Sequence, residues 1–468
     1  MCGVCNKIRD VGTSGNYIAD GVTYGTSWKG PITYAFTKSS EDYNYTAEPL
    51  RNFAPASQQQ IDSALFALEQ TFGGAANDGF SVEGFTGVSM SSGSAGTATL
   101  RFAQSDAPST AYAFLPGDYE QAGDMWFGRN YDYTNAAAGN YAWHTVLHEI
   151  GHALGLKHGH QSQNGFAALP AEYDSLEYSL MTYRSFKGGE IRGYTYSDWS
   201  APQTYMMADI AALQKLYGAD FRTNGGNTVY SWSEASGDTL VDGEVGIDAG
   251  GSEIFATIWD GGGRDTYDLS SYASDLVIDL GAGGHSSFGG AQLASLGYGN
   301  HASGNIYNAL LYKGDRRSLI ENATGGAGDD AMTGNVVGNA LVGGAGDDSL
   351  SGLNGADTLS GGEGADTLDG GDGKDLLRGD AGDDVMTGGM RADIFHFRAF
   401  EGADIVTDFL DGVDRLFVDI EGLDIAAVVL GAAQVGSDLV ISLGGTDSVM
   451  LLDFDKADLG AADFVSSI

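Results

Sequence analysis

Five of the eight histidines in this 468-residue chain fall within seventeen residues, HTVLHEIGHALGLKHGH at 144–160. His148 and His152 are four apart, so on a helix both imidazoles leave one face, one turn apart. Glu149 lies beside the first, turned about 100° around the axis. There it reaches the open side of an ion without filling a ligand position. Gly155 tolerates left-handed backbone and commonly ends a helix. A turn at that point swings the chain back, so that His158 supplies a third nitrogen. The string His148-Glu149-x-x-His152-x-x-Gly155-x-x-His158 reads as three histidines on one zinc ion, a coordination position left for water, and a carboxylate beside it. Metal-assisted hydrolysis is the chemistry such a set performs. His144, one turn before His148, would close the site if it ligated, so it takes a supporting role. His160 could compete with His158, but the glycine-defined spacing favours His158.

These residues need a rigid frame. Tyr141, Val146, Leu147, Ile150, Ala153, Leu154 and Leu156 give the histidine segment an apolar side that can dock a helix on a sheet, and no proline interrupts it. TATLRFAQS, TAYAFLPG and DMWFGRN read as strands of one sheet, with an edge strand bordering a substrate cleft. SQQQIDSALFALEQTFGG opens with a capping box, Ser57 to Gln60. Its apolar positions Ile61, Leu65, Leu68 and Phe72 predict a helix ended by Gly73. PQTYMMADIAALQKLYGAD predicts another, with Met206, Ile210, Leu213 and Leu216 inward and Gly218 as its stop. Past that point glycine and aspartate dominate, so a domain boundary is expected near residue 220.

The histidine stretch resembles the zinc motif of the metzincins. Downstream, Ser179-Leu180-Met181-Thr182-Tyr183 resembles the methionine-containing turn of the serralysins, with Thr182 where they carry a second serine. The resemblance implies that Met181 lies under the histidines without ligating, and that Tyr183 approaches the zinc and stabilises the oxyanion of the transition state. One departure is Gly159, where many members have proline.

From Gly325 the chain falls into nines, eight units without a gap to His396. Position six is Asp330, Asn339, Asp348, Asp357, Asp366, Asp375, Asp384 and Asp393. Position eight is always apolar: Met332, Leu341, Leu350, Leu359, Leu368, Leu377, Met386 and Phe395. The glycine half makes a tight turn and the last residues a very short strand, its apolar side chain inward. Two units complete one coil, so alternate aspartates line each flank and hard cations sit between coils on carboxylates and carbonyls. The period is similar to the repeats-in-toxin pattern, a calcium-binding parallel β-roll. Magnesium, which keeps its waters, suits it less. WDGGGRDTYDLSSY at 259–272 resembles a first calcium site of the serralysin carboxy-terminal domain. By that likeness Asp260 and Asp265 are ligands, with a carbonyl from Gly262.

The formal net charge is −40. Such a surface repels nucleic acid and anionic membranes, and it repels itself unless cations bind. The longest apolar run, IAAVVLGAA near residue 425, is too short to span a membrane, so no membrane insertion is expected. The only cysteines, Cys2 and Cys5, permit no disulfide framework. No Gly-x-Ser-x-Gly motif is present, which disfavours a repeats-in-toxin lipase.

The resemblance runs from about residue 20 to the end. It implies an α+β zincin-like catalytic domain with a twisted sheet and active-site helix (19–220), then an all-β calcium-binding parallel β-roll or β-sandwich domain (221–468). Residues 1–18 would be a removable pro-segment or a flexible, inert tail, and a cysteine there could quench the zinc. The ending AADFVSSI resembles the signal read by a one-step, type I secretion apparatus, which fits a chain without an apolar leader. The expected protein is therefore a monomeric, secreted bacterial zinc endopeptidase of the serralysin type. Its cofactors are one catalytic zinc and several structural calcium ions; its partners are protein substrates and, as a further candidate, a small protein inhibitor. The alternative is a calcium-stiffened adhesin or surface-layer protein with an idle zinc site.

Overall fold

The computed structural model describes residues 7–46 and 50–465, which divide into two compact units. The first takes in the chain up to 228 together with 232–263 and 290–318; the second takes in 229–231, 264–289 and the chain from 319 onward. The first unit thus draws in segments well past residue 220. Apolar burial explains it: Phe255, Leu296 and Tyr307 pack in one cluster with Leu176, Met206 and Met207, all 1% exposed or less. Each such side chain removed from water contributes roughly 1.5–3 kcal/mol.

Residues 7–18 are not the tail that the sequence suggested. Ile8–Asp10 pairs antiparallel with Thr26–Trp28. Asn16 caps the helix Tyr17–Val22 by accepting from the amides of Ile18 and Ala19. The apolar Ile18 is buried, which holds this segment to the body of the unit. Cys2 and Cys5 lie outside the described residues.

The sheet of the first unit has five strands in the order Met90–Ser92, Ile32–Phe36, Leu100–Ser105, Asp124–Gly128, Ala111–Ala113. All neighbours run parallel except the edge strand Ala111–Ala113, which is antiparallel to Asp124–Gly128. The histidine helix spans Tyr141–Leu154, capped by the Asn140 side chain on the Trp143 amide and ended by Gly155 at φ 109. Its apolar face, Val146, Leu147, Ile150, Ala153 and Leu154, is at most 1% exposed. The helix Met207–Tyr217 buries Ile210, Leu213 and Leu216, and Met206 is buried at its N-cap. The helix predicted to reach Phe72 covers only Gln58–Leu68, although its Ser57–Gln60 capping box forms. Tertiary partners override the helical period there: Glu69 accepts from the Tyr34 hydroxyl, and the Gln70 amide donates to Glu83.

The second unit is largely a coil of short parallel strands in two sheets, one of which ends in the antiparallel strands Ala433–Val435, Asp438–Gly444 and Asp447–Leu451. Leu341, Leu359, Leu377 and Phe395 align in one sheet. Met332, Leu350, Leu368 and Met386 align in the other. All eight are 2% exposed or less, so the repeat's apolar position forms the core of the coil. The glycines are needed where coils touch: Gly362 has φ 128, and a Cβ on it would run into the Gly344 carbonyl of the coil before. No helix among the described residues is long and apolar enough to cross a membrane.

Candidate metal centre and active site

The helix presents His148 and His152 on one face, and the turn at Gly155 returns His158 to them. The Nε2 atom of His158 stands 3.2 Å from that of His148 and 3.0 Å from that of His152. The tautomers follow from the outer nitrogens. His148 Nδ1 donates to the Leu180 carbonyl at 2.8 Å and His152 Nδ1 to the Leu156 carbonyl at 2.9 Å. A carbonyl only accepts, so both Nε2 atoms keep bare lone pairs directed inward. A proton on His158 satisfies one of those lone pairs, whereas a cation satisfies all three nitrogens. Nitrogens about 2.0–2.1 Å from one tetrahedral ion stand about 3.3 Å apart, so the donor set and its spacing fit zinc. Burial, together with the neighbouring imidazoles, holds His148 well below the usual histidine range. Burial lowers His152 to about 4 and His158 to about 3. All three are neutral, as ligands must be.

Glu149 is buried beside the triad. Burial raises its carboxyl to about 8, opposed by a hydrogen bond from the Ala113 amide on the edge strand. Its Oε2 has no partner among the described residues. Tyr183 stacks on His148 with ring centroids 5.9 Å apart and lies 4.4 Å from His158. Burial raises its phenol to about 12, so it remains a proton donor at neutral pH. Glu149 and Tyr183 line two cavities that share them. One, of about 340 Å³, runs past His144 and His148 toward Tyr194; the other, of about 280 Å³, runs past His152 and His158 toward Gln163. Ala111 borders both, which places the edge strand along the cleft.

Met181 is fully buried, and a Cβ on Gly151 would meet its sulfur at 2.7 Å. The methionine therefore lies against the helix between His148 and His152. His144 lies outside the triad: its ring nitrogens engage the Tyr196 hydroxyl at 2.9 Å and the Leu180 carbonyl at 3.1 Å. His160 stacks on His158, 5.3 Å between centroids, outside the triad. Gly159 is fixed by close approach, since a Cβ there would meet Leu169 at 2.7 Å, and its amide donates to the Met181 carbonyl.

Three further groups brace the site. Asp209, from the helix Met207–Tyr217, accepts from the Ser179 hydroxyl at 2.6 Å and the Leu180 amide at 2.8 Å. It thereby fixes the residue whose carbonyl orients His148. Asp174 accepts from the Thr182 hydroxyl and from Arg184. Lys157, 1% exposed, donates its three ammonium protons to the carbonyls of Gly21, Gln161 and Ala167. The sequence hints at only one such feature: a glycine inside a helix costs about 1 kcal/mol against alanine, and Gly151 signals a close approach.

In the second unit the repeat aspartates form two ladders. The amides of Asp330, Asp348 and Asp366 donate to Oδ1 of Asp348, Asp366 and Asp384, each at 2.8 Å. On the other flank Asn339, Asp357 and Asp375 donate to Asp357, Asp375 and Asp393 at 2.7–2.9 Å. The second oxygens of Asp348, Asp357, Asp366, Asp375, Asp384 and Asp393 are buried with no protein partner. Burial raises these carboxyls, Asp366 to about 7. Asp330 and Asn339 differ from the rest. Asp330 uses both oxygens on the amides of Leu276 and Gly326, and Asn339 accepts from the Asn335 amide while donating to the Glu321 carbonyl. Asp404 and Asp414 extend the ladders at spacings of 20 and 21, outside the nines. In the first unit Asp260 is buried and accepts from the Gly262 amide at 2.7 Å. In the second, Asp265 is buried and its carbonyl accepts from the Asn322 amide at 2.9 Å.

Comparison with known proteins gives two family matches. The profile described as Matrixin, a peptidase M10 family, matches residues 92–177. The profile described as peptidase M10 serralysin C terminal matches residues 219–458. Serralysin G of Dickeya chrysanthemi is 32% identical over 351 residues, 71% of this chain and 65% of that protein. Metallopeptidase AprA of Pseudomonas marginalis is 31% identical over 327 residues, 66% of this chain and 61% of that protein. Serralysin B of D. chrysanthemi is 34% identical over 348 residues, 68% and 64% of the two chains. The chain thus spans somewhat less than two thirds of the length of each.

Proposed function

We propose that this chain, which belongs to the serralysin family of the M10 peptidases, is a zinc-dependent endopeptidase acting on proteins. The observation that carries the reading is the inward set of three imidazole nitrogens, two of them held bare by backbone carbonyls. His148, His152 and His158 would hold the ion. Zinc, when bound, supplies a Lewis acid that lowers the pKa of water and polarises a carbonyl.

The chain's own groups do the rest. A peptide lies extended along the edge strand Ala111–Ala113, its scissile carbonyl beside Tyr183. Glu149, in its ionised form and with Oε2 free, takes the proton of the attacking water and passes it to the leaving amine. Tyr183 donates its phenolic hydrogen to the carbonyl oxygen as charge develops there. Met181 and Asp209 keep the ligand face in register from below.

Calcium belongs to the same reading. The six buried, unpartnered Oδ2 atoms of the repeat are hard anionic donors, the set calcium takes. Folding of the second unit then awaits an environment rich in that ion, which fits export by a type I apparatus and activity outside the producing cell. The test is Glu149→Ala, assayed on unfolded casein. It should bind zinc as the parent does and lose about 10²–10⁴-fold in kcat. Retained hydrolysis refutes the assigned role.

A further inference from the structure

The cavity of about 340 Å³ beside Glu149 and Tyr183 is walled by Thr110, Tyr141, Thr145, Ile191 and Tyr194, with one basic residue, Arg192. A cation there is out of character for this molecule, which carries 63 acidic residues against 23 lysines and arginines. Four other arginines of the first unit, Arg101, Arg129, Arg184 and Arg222, each pair with an aspartate. Arg192 has no ion-pair or hydrogen-bond partner among the described residues. Glu190 and Lys187, in the same loop, are exposed and do not line the cavity.

The loop is nevertheless pinned on both sides of Arg192. Arg184 donates to the Gly189 carbonyl, and the Gly189 amide to the Phe186 carbonyl at 2.9 Å. The Tyr194 hydroxyl donates to the Thr182 carbonyl at 3.1 Å, and the Thr195 amide to Ser185 Oγ at 2.8 Å. The backbone that carries Arg192 is thus anchored on both sides, while its exposed side chain stands at the wall of the cavity.

We propose that Arg192 is a specificity determinant that makes the site prefer peptides placing a carboxylate in this cavity. The inference rests on the endopeptidase reading above. A planar guanidinium pairs bidentately with a carboxylate and gains nothing comparable from the isosteric amide. The carboxylate comes from an acidic side chain near the scissile bond or from the peptide's own C-terminus.

The test uses the zinc- and calcium-loaded protein and quenched peptides in pairs. Glu replaces Gln at each of three positions on either side of the cleaved bond, and a further pair differs only in a free or amidated C-terminus. The expected result is about a tenfold higher kcat/KM for the carboxylate member of one pair. Arg192→Gln should bring that ratio close to one, Arg192→Lys should keep part of it, and Lys187→Gln should leave it intact. The side-chain and terminal sources are told apart by which pair responds. Equal cleavage of every pair by the parent, or a ratio that survives Arg192→Gln, overturns the inference and leaves the endopeptidase reading standing. Absence of any cleavage by the parent overturns both.

Discussion

The histidine cluster and the aspartate ladder both gather potential metal-donor atoms at close spacing, yet the two are built on different foundations. The imidazoles are neutral, and each sits on a frame with a core of its own: the motif helix, the five-stranded sheet and the methionine turn. Their alignment needs little help from an ion. The carboxylates are buried and stacked one coil above the next, in a repeat whose inward apolar side chains number one per nine residues. Without cations their mutual repulsion works directly against the coil. On the proposed reading, one region prepares a site for its metal and the other is assembled by its metal.

The largest expected effect separates these two directly. Chelating calcium should abolish most of the β-sheet signal of the second unit, followed by far-UV circular dichroism and small-angle scattering. Chelating zinc alone should abolish casein hydrolysis and leave that signal in place. A second unit that stays folded in calcium chelator would break the comparison.

Next in size is Lys157→Met. It leaves the carbonyls of Gly21, Gln161 and Ala167 without their shared donor. Unsatisfied buried acceptors cost about 1–3 kcal/mol each, so the first unit should lose about 3 kcal/mol in urea unfolding, with weaker zinc retention. The calcium midpoint of the second unit should not move. A shift there would mean that the two regions are less independent than their construction implies.

The smallest effect sharpens the ladder. Asp366→Asn keeps an oxygen to accept from the Asp348 amide but removes a buried charge. Calcium titration should show a midpoint raised a few-fold, because affinity follows the ligand charge count. In calcium-free buffer the same variant should hold more residual structure than the parent.

Much of the site was legible because its information is local. His148, Glu149, His152, Gly155 and His158 lie within eleven residues, and one helix and one turn convert that spacing into convergence. The nines were legible for the same reason, since register repeats along the chain and each aspartate answers the one eighteen residues on. What stayed hidden acts over distance. Asp209 braces Ser179 from thirty residues away, and Lys157 reaches back to Gly21 across 136. Neither belongs to a pattern, and a buried lysine satisfied by three carbonyls looks in sequence like any surface lysine. Asp404 and Asp414 were missed because loops of extra residues break the period just before them. The overlong helix at 58–72 failed where side-chain partners in the sheet outbid a helical pattern.

The ladder also fixes the quantum in which this protein can change its length. A deletion of nine residues would keep the eighteen-residue pairing inside the array but send every later rung to the opposite flank, so that the continuations at Asp404 and Asp414 would be met on the wrong side. A deletion of eighteen removes one whole storey and lets the floors above settle onto those below with every bond intact. Lineages that lengthen or shorten this array should therefore do so in steps of eighteen, and a tract carrying an odd number of nonapeptides must hide its mismatch at one end.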